Sequence, residues 1–113
     1  MEKICDGDTA SEGIGTGTVR FLFYDVEGGN INEFQNGEIL VCDMTDIEFV
    51  PAMRKASAIL TRTGGVLCHA AIISRELNKP CIVGIRDGYE LLIAGQKVTV
   101  NATEGIVYRE MKV

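Results

Sequence analysis

The chain has 113 residues, 46% of them apolar and 24% charged, and a formal net charge of −5. That length suits one domain with a buried core and not two. The acidic balance argues against electrostatic binding of nucleic acid, which needs clustered Lys and Arg, and no apolar run approaches the roughly 20 residues of a membrane span.

Met1 to Asp6 leads straight into polar sequence, with no apolar stretch of the kind a secretory signal carries, so a cytoplasmic location is expected. The first third is rich in glycine: Gly7, Gly13, Gly15, Gly17, Gly28, Gly29 and Gly37. Short strands joined by tight turns are expected there, with Thr18 to Tyr24 as the first strong candidate. Gly13-x-Gly15-x-Gly17 lacks the spacing of a dinucleotide fingerprint and reads as a turn. Glu38 to Cys42 is a second strand. Thr45 with Glu48 three residues on has the form of a capping box, and Asp46 adds negative charge to the start of a short helix that ends near Ala56. Ser57 to Thr61 reads as a buried strand. Val66 to Asn78 reads as a helix, stopped by Asn78-Lys79-Pro80. Cys81 to Gly84, Gln96 to Asn101 and Gly105 to Arg109 complete the strands. The pattern is a layered α/β domain with several sheet segments.

Cys5, Cys42, Cys68 and Cys81 include no Cys-x-x-Cys pair. Cys42 and Cys81 lie in apolar runs, where free cysteine packs as a small hydrophobe, so reduced thiols are expected. With one histidine in the chain, a zinc site lacks spaced ligands, and no metal is expected.

That histidine, His69, follows the pair Gly64-Gly65 and falls in the first turn of the expected helix. Glycines there can adopt φ > 0 and let another group come close. A helix start offers unpaired N–H groups and the positive end of the macrodipole, which welcome phosphate. The same positive end favours neutral imidazole, the nucleophilic form. A lone histidine in an amphipathic helix is nonetheless more often an ordinary residue than a nucleophile. Spacing alone therefore suggests an anion site without establishing one.

The run from Leu60 to Gly84, with Thr63-Gly64-Gly65 and Cys68-His69-Ala70-Ala71 at its centre, resembles the active-site signature of the swivelling phosphohistidine domain. That domain occurs in phosphoenolpyruvate synthase, pyruvate phosphate dikinase and enzyme I of the sugar phosphotransferase system. Gly37 to Val41, Met44-Thr45-Asp46, Val50 to Met53, Gly95 to Val100 and Gly105 to Tyr108 continue the likeness. Cys68 before the histidine is similar to the synthase type, whereas Arg62-Thr63 before the glycine pair departs from it.

The resemblance implies a single swivelling β/β/α phosphohistidine domain over residues 1–113, with His69 receiving phosphate through Nε2. Thr63, Gly64, Gly65 and Cys68 would border the phosphate, and Arg75 and Glu76 would hold the domain together rather than touch it. The implied role is a phosphotransferase component without a cofactor of its own. Its partners would be a nucleotide-binding domain, which brings ATP and Mg²⁺, and a domain that binds pyruvate or phosphoenolpyruvate. A non-catalytic docking or regulatory module with the same fold is the alternative, and metal or redox chemistry at Cys68 and His69 a third.

Overall fold

Three short runs are buried at every position: β4 (Ile39–Cys42), β5 (Ala58–Thr61) and β6 (Cys81–Val83). Continuous apolar runs of this kind belong to strands covered on both faces. In the computed structural model, which describes residues 1–23 and 29–110, they form the parallel centre of an eight-stranded sheet. The other strands are β1 (Glu2–Asp6), β2 (Asp8–Ser11), β3 (Ile14–Phe21), β7 (Lys97–Asn101) and β8 (Ile106–Arg109). Their order across the sheet is β1-β8-β7-β3-β4-β5-β6-β2.

β3 joins two differently built halves. Its first part, Ile14 to Thr18, pairs antiparallel with β7, and its last part, Val19 to Phe21, pairs parallel with β4. Successive residues of the central strands therefore feed two cores. Ile39, Val41, Ala58, Leu60 and Ile82 meet Val98, Val100 and Val107 of the antiparallel half. Leu40, Cys42, Ile59, Cys81 and Val83 instead meet the helices α1 (Val50–Lys55) and α2 (His69–Leu77) through Ala52, Met53, Ala70 and Ala71. Sheet half, sheet half and helices stack as the expected β/β/α layers.

The observed strands match most expectations to within a residue or two, and three differ. Gly15 and Gly17 lie inside β3 and not in a turn. A Cβ on Gly15 would collide with the Ser57 carbonyl, and one on Gly17 with the Gly37 carbonyl, so glycine lets two loops press against the strand. β1 and β2 arise from sequence that reads as merely polar. They are the two edges of the sheet, where only Ile4, Cys5 and Ala10 are buried. Tyr24, the end of the expected first strand, and Gly28 lie outside the described residues. Among the described residues no helix is long and apolar enough to cross a membrane.

Candidate functional site

α2 begins at His69, three residues later than periodicity suggests. The preceding residues form a turn in which the Cys68 N–H donates to the Gly65 carbonyl, and the first helical bond runs from the Ile72 N–H to the Cys68 carbonyl. Arg75 accounts for the late start. Its guanidinium donates to the Val66 carbonyl and, through Nε at 2.8 Å, to the Ala10 carbonyl of β2. Val66 is thereby bonded to a side chain and held out of the helical ladder. Arg75 ties the helix to its neighbours, as the resemblance implies, whereas Glu76, expected to do the same, is exposed and makes no hydrogen bond or ion pair among the described residues. At the other end Asn78 adopts the left-handed conformation (φ 56°), and the Lys79 N–H closes on the Ser74 carbonyl before Pro80.

His69 is thus the first residue of the helix. Cys68, which caps it, makes no side-chain hydrogen bond to the helix N–H groups, so they face the site uncapped. The ring is fixed from elsewhere: Thr45 Oγ1 lies 2.8 Å from His69 Nδ1. Thr45 is itself only 6% exposed. This corrects the capping-box reading, because Asp46 is the residue that caps the short 3-10 turn Ile47–Phe49, accepting from the Glu48 N–H at 3.0 Å. Asp46 has a carboxylate at the right place to cap that turn, which leaves the Thr45 hydroxyl free for the histidine. His69 Nε2 has no hydrogen-bond partner among the described residues.

The loop opposite is held by its own hydroxyls. Thr61 Oγ1 donates to the Thr63 carbonyl at 2.7 Å, and both the N–H and the hydroxyl of Thr63 donate to the Asp43 carbonyl, at 3.0 and 2.8 Å. Gly64 follows at φ +107°, where a Cβ would stand 2.9 Å from Cys68 Sγ. Met44, Thr45, Thr61, Thr63, Gly64, Cys68, His69 and Ala70 border a recess of about 180 Å³. Of the expected phosphate-contacting residues, Thr63, Gly64 and Cys68 line it beside His69. Gly65 does not, and it is Gly64 alone of the pair that takes a positive φ. Among the described residues nothing lies within 4 Å of a Cβ built on Gly65, so the backbone there is open to an approaching group. Arg62 turns away, its guanidinium 5.3 Å from the centre of the Tyr89 ring. A wider hollow of about 940 Å³, bordered by Glu2, Ile93, Lys97 and Arg109, shares no residue with the recess.

The cysteines stand as free thiols. Burial pushes Cys42 up to about 12 and Cys81 up to about 11, and Cys5 in the other core up to about 12. Cys68 is half-buried at the recess. Among the described residues no three His, Cys, Asp or Glu side chains group so as to hold a metal ion.

Comparison with known proteins places this geometry in a family. The profile of the PEP-utilising enzyme mobile domain matches residues 34–105, which include both Thr45 and His69. Phosphoenolpyruvate synthase of Pyrococcus furiosus is 45% identical over 108 residues, 96% of this chain and 13% of that protein. The chain therefore spans about an eighth of the length of that relative. Among solved structures, an Enzyme I protein superposes with a TM-score of 0.59 at 25% identity, over 74% of this chain and 34% of that one. Aconitase X of Thermococcus kodakaraensis superposes with a TM-score of 0.67 at 16% identity, over 95% of this chain and 98% of that one, a likeness of fold alone. With a profile match over most of its length, this chain belongs to the family of PEP-utilising enzyme mobile domains.

Proposed function

We propose that this chain is a phosphoryl carrier, with His69 as the residue that is phosphorylated. The observation that supports this most strongly is the Thr45 Oγ1 to His69 Nδ1 bond at the start of α2. With the proton on Nδ1 donated to the Thr45 oxygen, the lone pair is on Nε2, the nitrogen without a protein partner among the described residues. Nε2 attacks the phosphorus of the donor. An N–P bond forms, and the P–O bond to the donor breaks with its electron pair leaving on the donor's oxygen. In the second transfer an acceptor oxygen attacks the same phosphorus, and the N–P electron pair returns to Nε2. No proton need leave the ring, because Nδ1 keeps its own throughout.

The protein's part is position and charge. Thr45 fixes the ring plane, and the uncapped N–H groups at the start of α2 offer hydrogen bonds to phosphoryl oxygens. Thr63, Gly64 and Cys68 border the phosphate, and open backbone at Gly65 gives the donor access. The donor and acceptor sites would belong to partner domains or chains, one binding ATP with Mg²⁺ or an equivalent donor and the other pyruvate or phosphoenolpyruvate. The whole chain, 1–113, would swing between them.

The test is transfer in trans. Phosphoenolpyruvate synthase, pyruvate phosphate dikinase and enzyme I, each lacking its own carrier histidine, are mixed with this chain and with labelled ATP or phosphoenolpyruvate. His69 is the chain's only histidine. Acid-labile, alkali-stable label on the chain, absent from His69→Ala, is the expected result. A folded chain that none of the three labels would sink the carrier reading in favour of a docking module.

A further inference from the structure

The surface around His69 is apolar where a site for an anion would be expected to be polar. Met44 is 67% exposed, Ile47 73%, Val66 49% and Leu67 82%. These residues belong to the two segments that meet at the histidine. Met44 precedes Thr45 and Ile47 follows it by two residues, and Val66 and Leu67 lead directly into Cys68 and His69. Of the ten large apolar side chains exposed among the described residues, five lie within three residues of Thr45 or His69, these four and Ile72, and apolar side chains exposed together mark an interaction site. Interleaved with Met44 and Ile47 in the same segment are the exposed carboxylates of Asp43, Asp46 and Glu48, none of them in an ion pair among the described residues.

Resting on the carrier reading above, we propose that Met44, Ile47, Val66 and Leu67 form a docking face that seats the histidine on a phosphotransferase domain with both apolar and cationic groups at its mouth. The charges select this occupant. A second copy of the chain would bring carboxylates against carboxylates and one phosphoryl group against another. A domain that holds a phosphate donor is cationic at its mouth and complements these carboxylates. Four side chains make a contact well below the roughly 800 Å² per partner of a stable complex. The docking is therefore transient, as a carrier that must leave after each transfer requires. While seated, the docking face keeps water from the N–P bond.

Two phosphoryl donors separate docking from chemistry. Phosphoramidate, a small molecule, needs no docking face, whereas a phosphoenolpyruvate synthase lacking its own carrier histidine does. The double variant Ile47→Ser/Leu67→Ser should lose about a hundredfold in kcat/KM for transfer from the enzyme, about tenfold per side chain removed from the contact. Its labelling by phosphoramidate should match the wild type. Ile14→Ser removes an equally exposed residue, 65% accessible, from β3, and should leave both reactions unchanged. Glu48→Gln should flatten the salt dependence of the enzymatic reaction. The proposal is overturned if the double variant accepts phosphate from the enzyme at the wild-type rate, or if Ile14→Ser loses as much. A double variant that the enzyme labels as fast as the wild type leaves the carrier reading standing, whereas a wild type that phosphoramidate labels and none of the three enzymes does removes both. A folded wild type labelled by neither removes both.

Discussion

Thr45 Oγ1 and His69 Nδ1 stand 2.8 Å apart across 24 residues of sequence, one in the loop after β4 and the other at the first position of α2. The loop and the helix pack on the same face of the parallel half-sheet, which brings the hydroxyl to the ring. Replacing Thr45 with Val keeps the shape and removes the partner of Nδ1. Leaving a half-buried nitrogen unpaired costs about 1–3 kcal/mol, and the ring is then free to turn or change tautomer. Transfer to His69 should fall by roughly 10- to 100-fold in Thr45→Val and be largely kept in Thr45→Ser. Phosphorylation rates of the three proteins with one donor check this, and equal rates would mean that Thr45 does not orient the ring.

The two glycines before the helix should behave differently. Gly64→Ala forces a side chain into the left-handed region and against Cys68 Sγ, so it should lower stability by about 1–3 kcal/mol. Gly65→Ala meets open space and should unfold within about 0.5 kcal/mol of the wild type while slowing transfer, because the added methyl stands where the donor approaches. Denaturant titration alongside transfer kinetics separates the two. A Gly65→Ala protein with full activity would show that the open backbone is not an approach path.

Arg75 ties α2 to β2 and to the turn before His69. Arg75→Lys keeps the charge and loses the fork that serves two carbonyls. Both Arg75→Lys and Arg75→Ala should be destabilised, the alanine variant by about 1–3 kcal/mol. Hydrogen exchange should quicken first at Val66 to His69. Unchanged exchange there would mean that the turn holds itself.

Cys5, Cys42 and Cys81 predict an alkaline weakness. Burial raises each from 9.0 to about 12, about 12 and about 11. In the unfolded chain these thiols ionise near 9.0, while in the folded chain they stay protonated. The unfolded state then binds fewer protons, so stability is full below about pH 9 and is lost as pH rises through the folded values. Denaturant midpoints should be level from neutral pH to about pH 8.5 and fall above pH 9. At pH 8 an alkylating reagent should modify half-buried Cys68 quickly and the other three only on unfolding. A stability that stays level beyond pH 10 would mean that burial does not hold these thiols neutral.

Much of the architecture is legible in the sequence where both faces of an element are covered. Ile39 to Cys42, Ala58 to Thr61 and Cys81 to Val83 are unbroken apolar runs because helices cover one face and the other half of the sheet covers the second. The edge strands are not legible, since Glu2, Lys3, Asp6, Asp8 and Ser11 satisfy solvent rather than a core. Gly15 and Gly17 resemble a turn because nothing local reveals the carbonyls of Gly37 and Ser57 pressing on them. The late start of α2 depends on a guanidinium nine residues on, which hydrophobic period does not register. At the site, His69, Thr63, Gly64 and Cys68 could be named from one continuous run. Thr45 could not, because its spacing to Glu48 imitates a local cap while its hydroxyl serves a residue far along the chain. A hydroxyl beside a better capping residue, Asp46, was the available sign.

If His69 carries phosphate on Nε2 with Nδ1 held by Thr45, ¹⁵N spectroscopy of the imidazole reads both nitrogens at once. The chain has a single histidine, so the spectrum belongs to one residue. Before reaction the neutral ring should show its proton on Nδ1. After phosphorylation by phosphoramidate or by a phosphotransferase, coupling to phosphorus should appear at Nε2 alone, with Nδ1 still protonated. Phosphorus on Nδ1, or a folded chain whose ring stays unmodified with every donor, would rule out a carrier that works through Nε2.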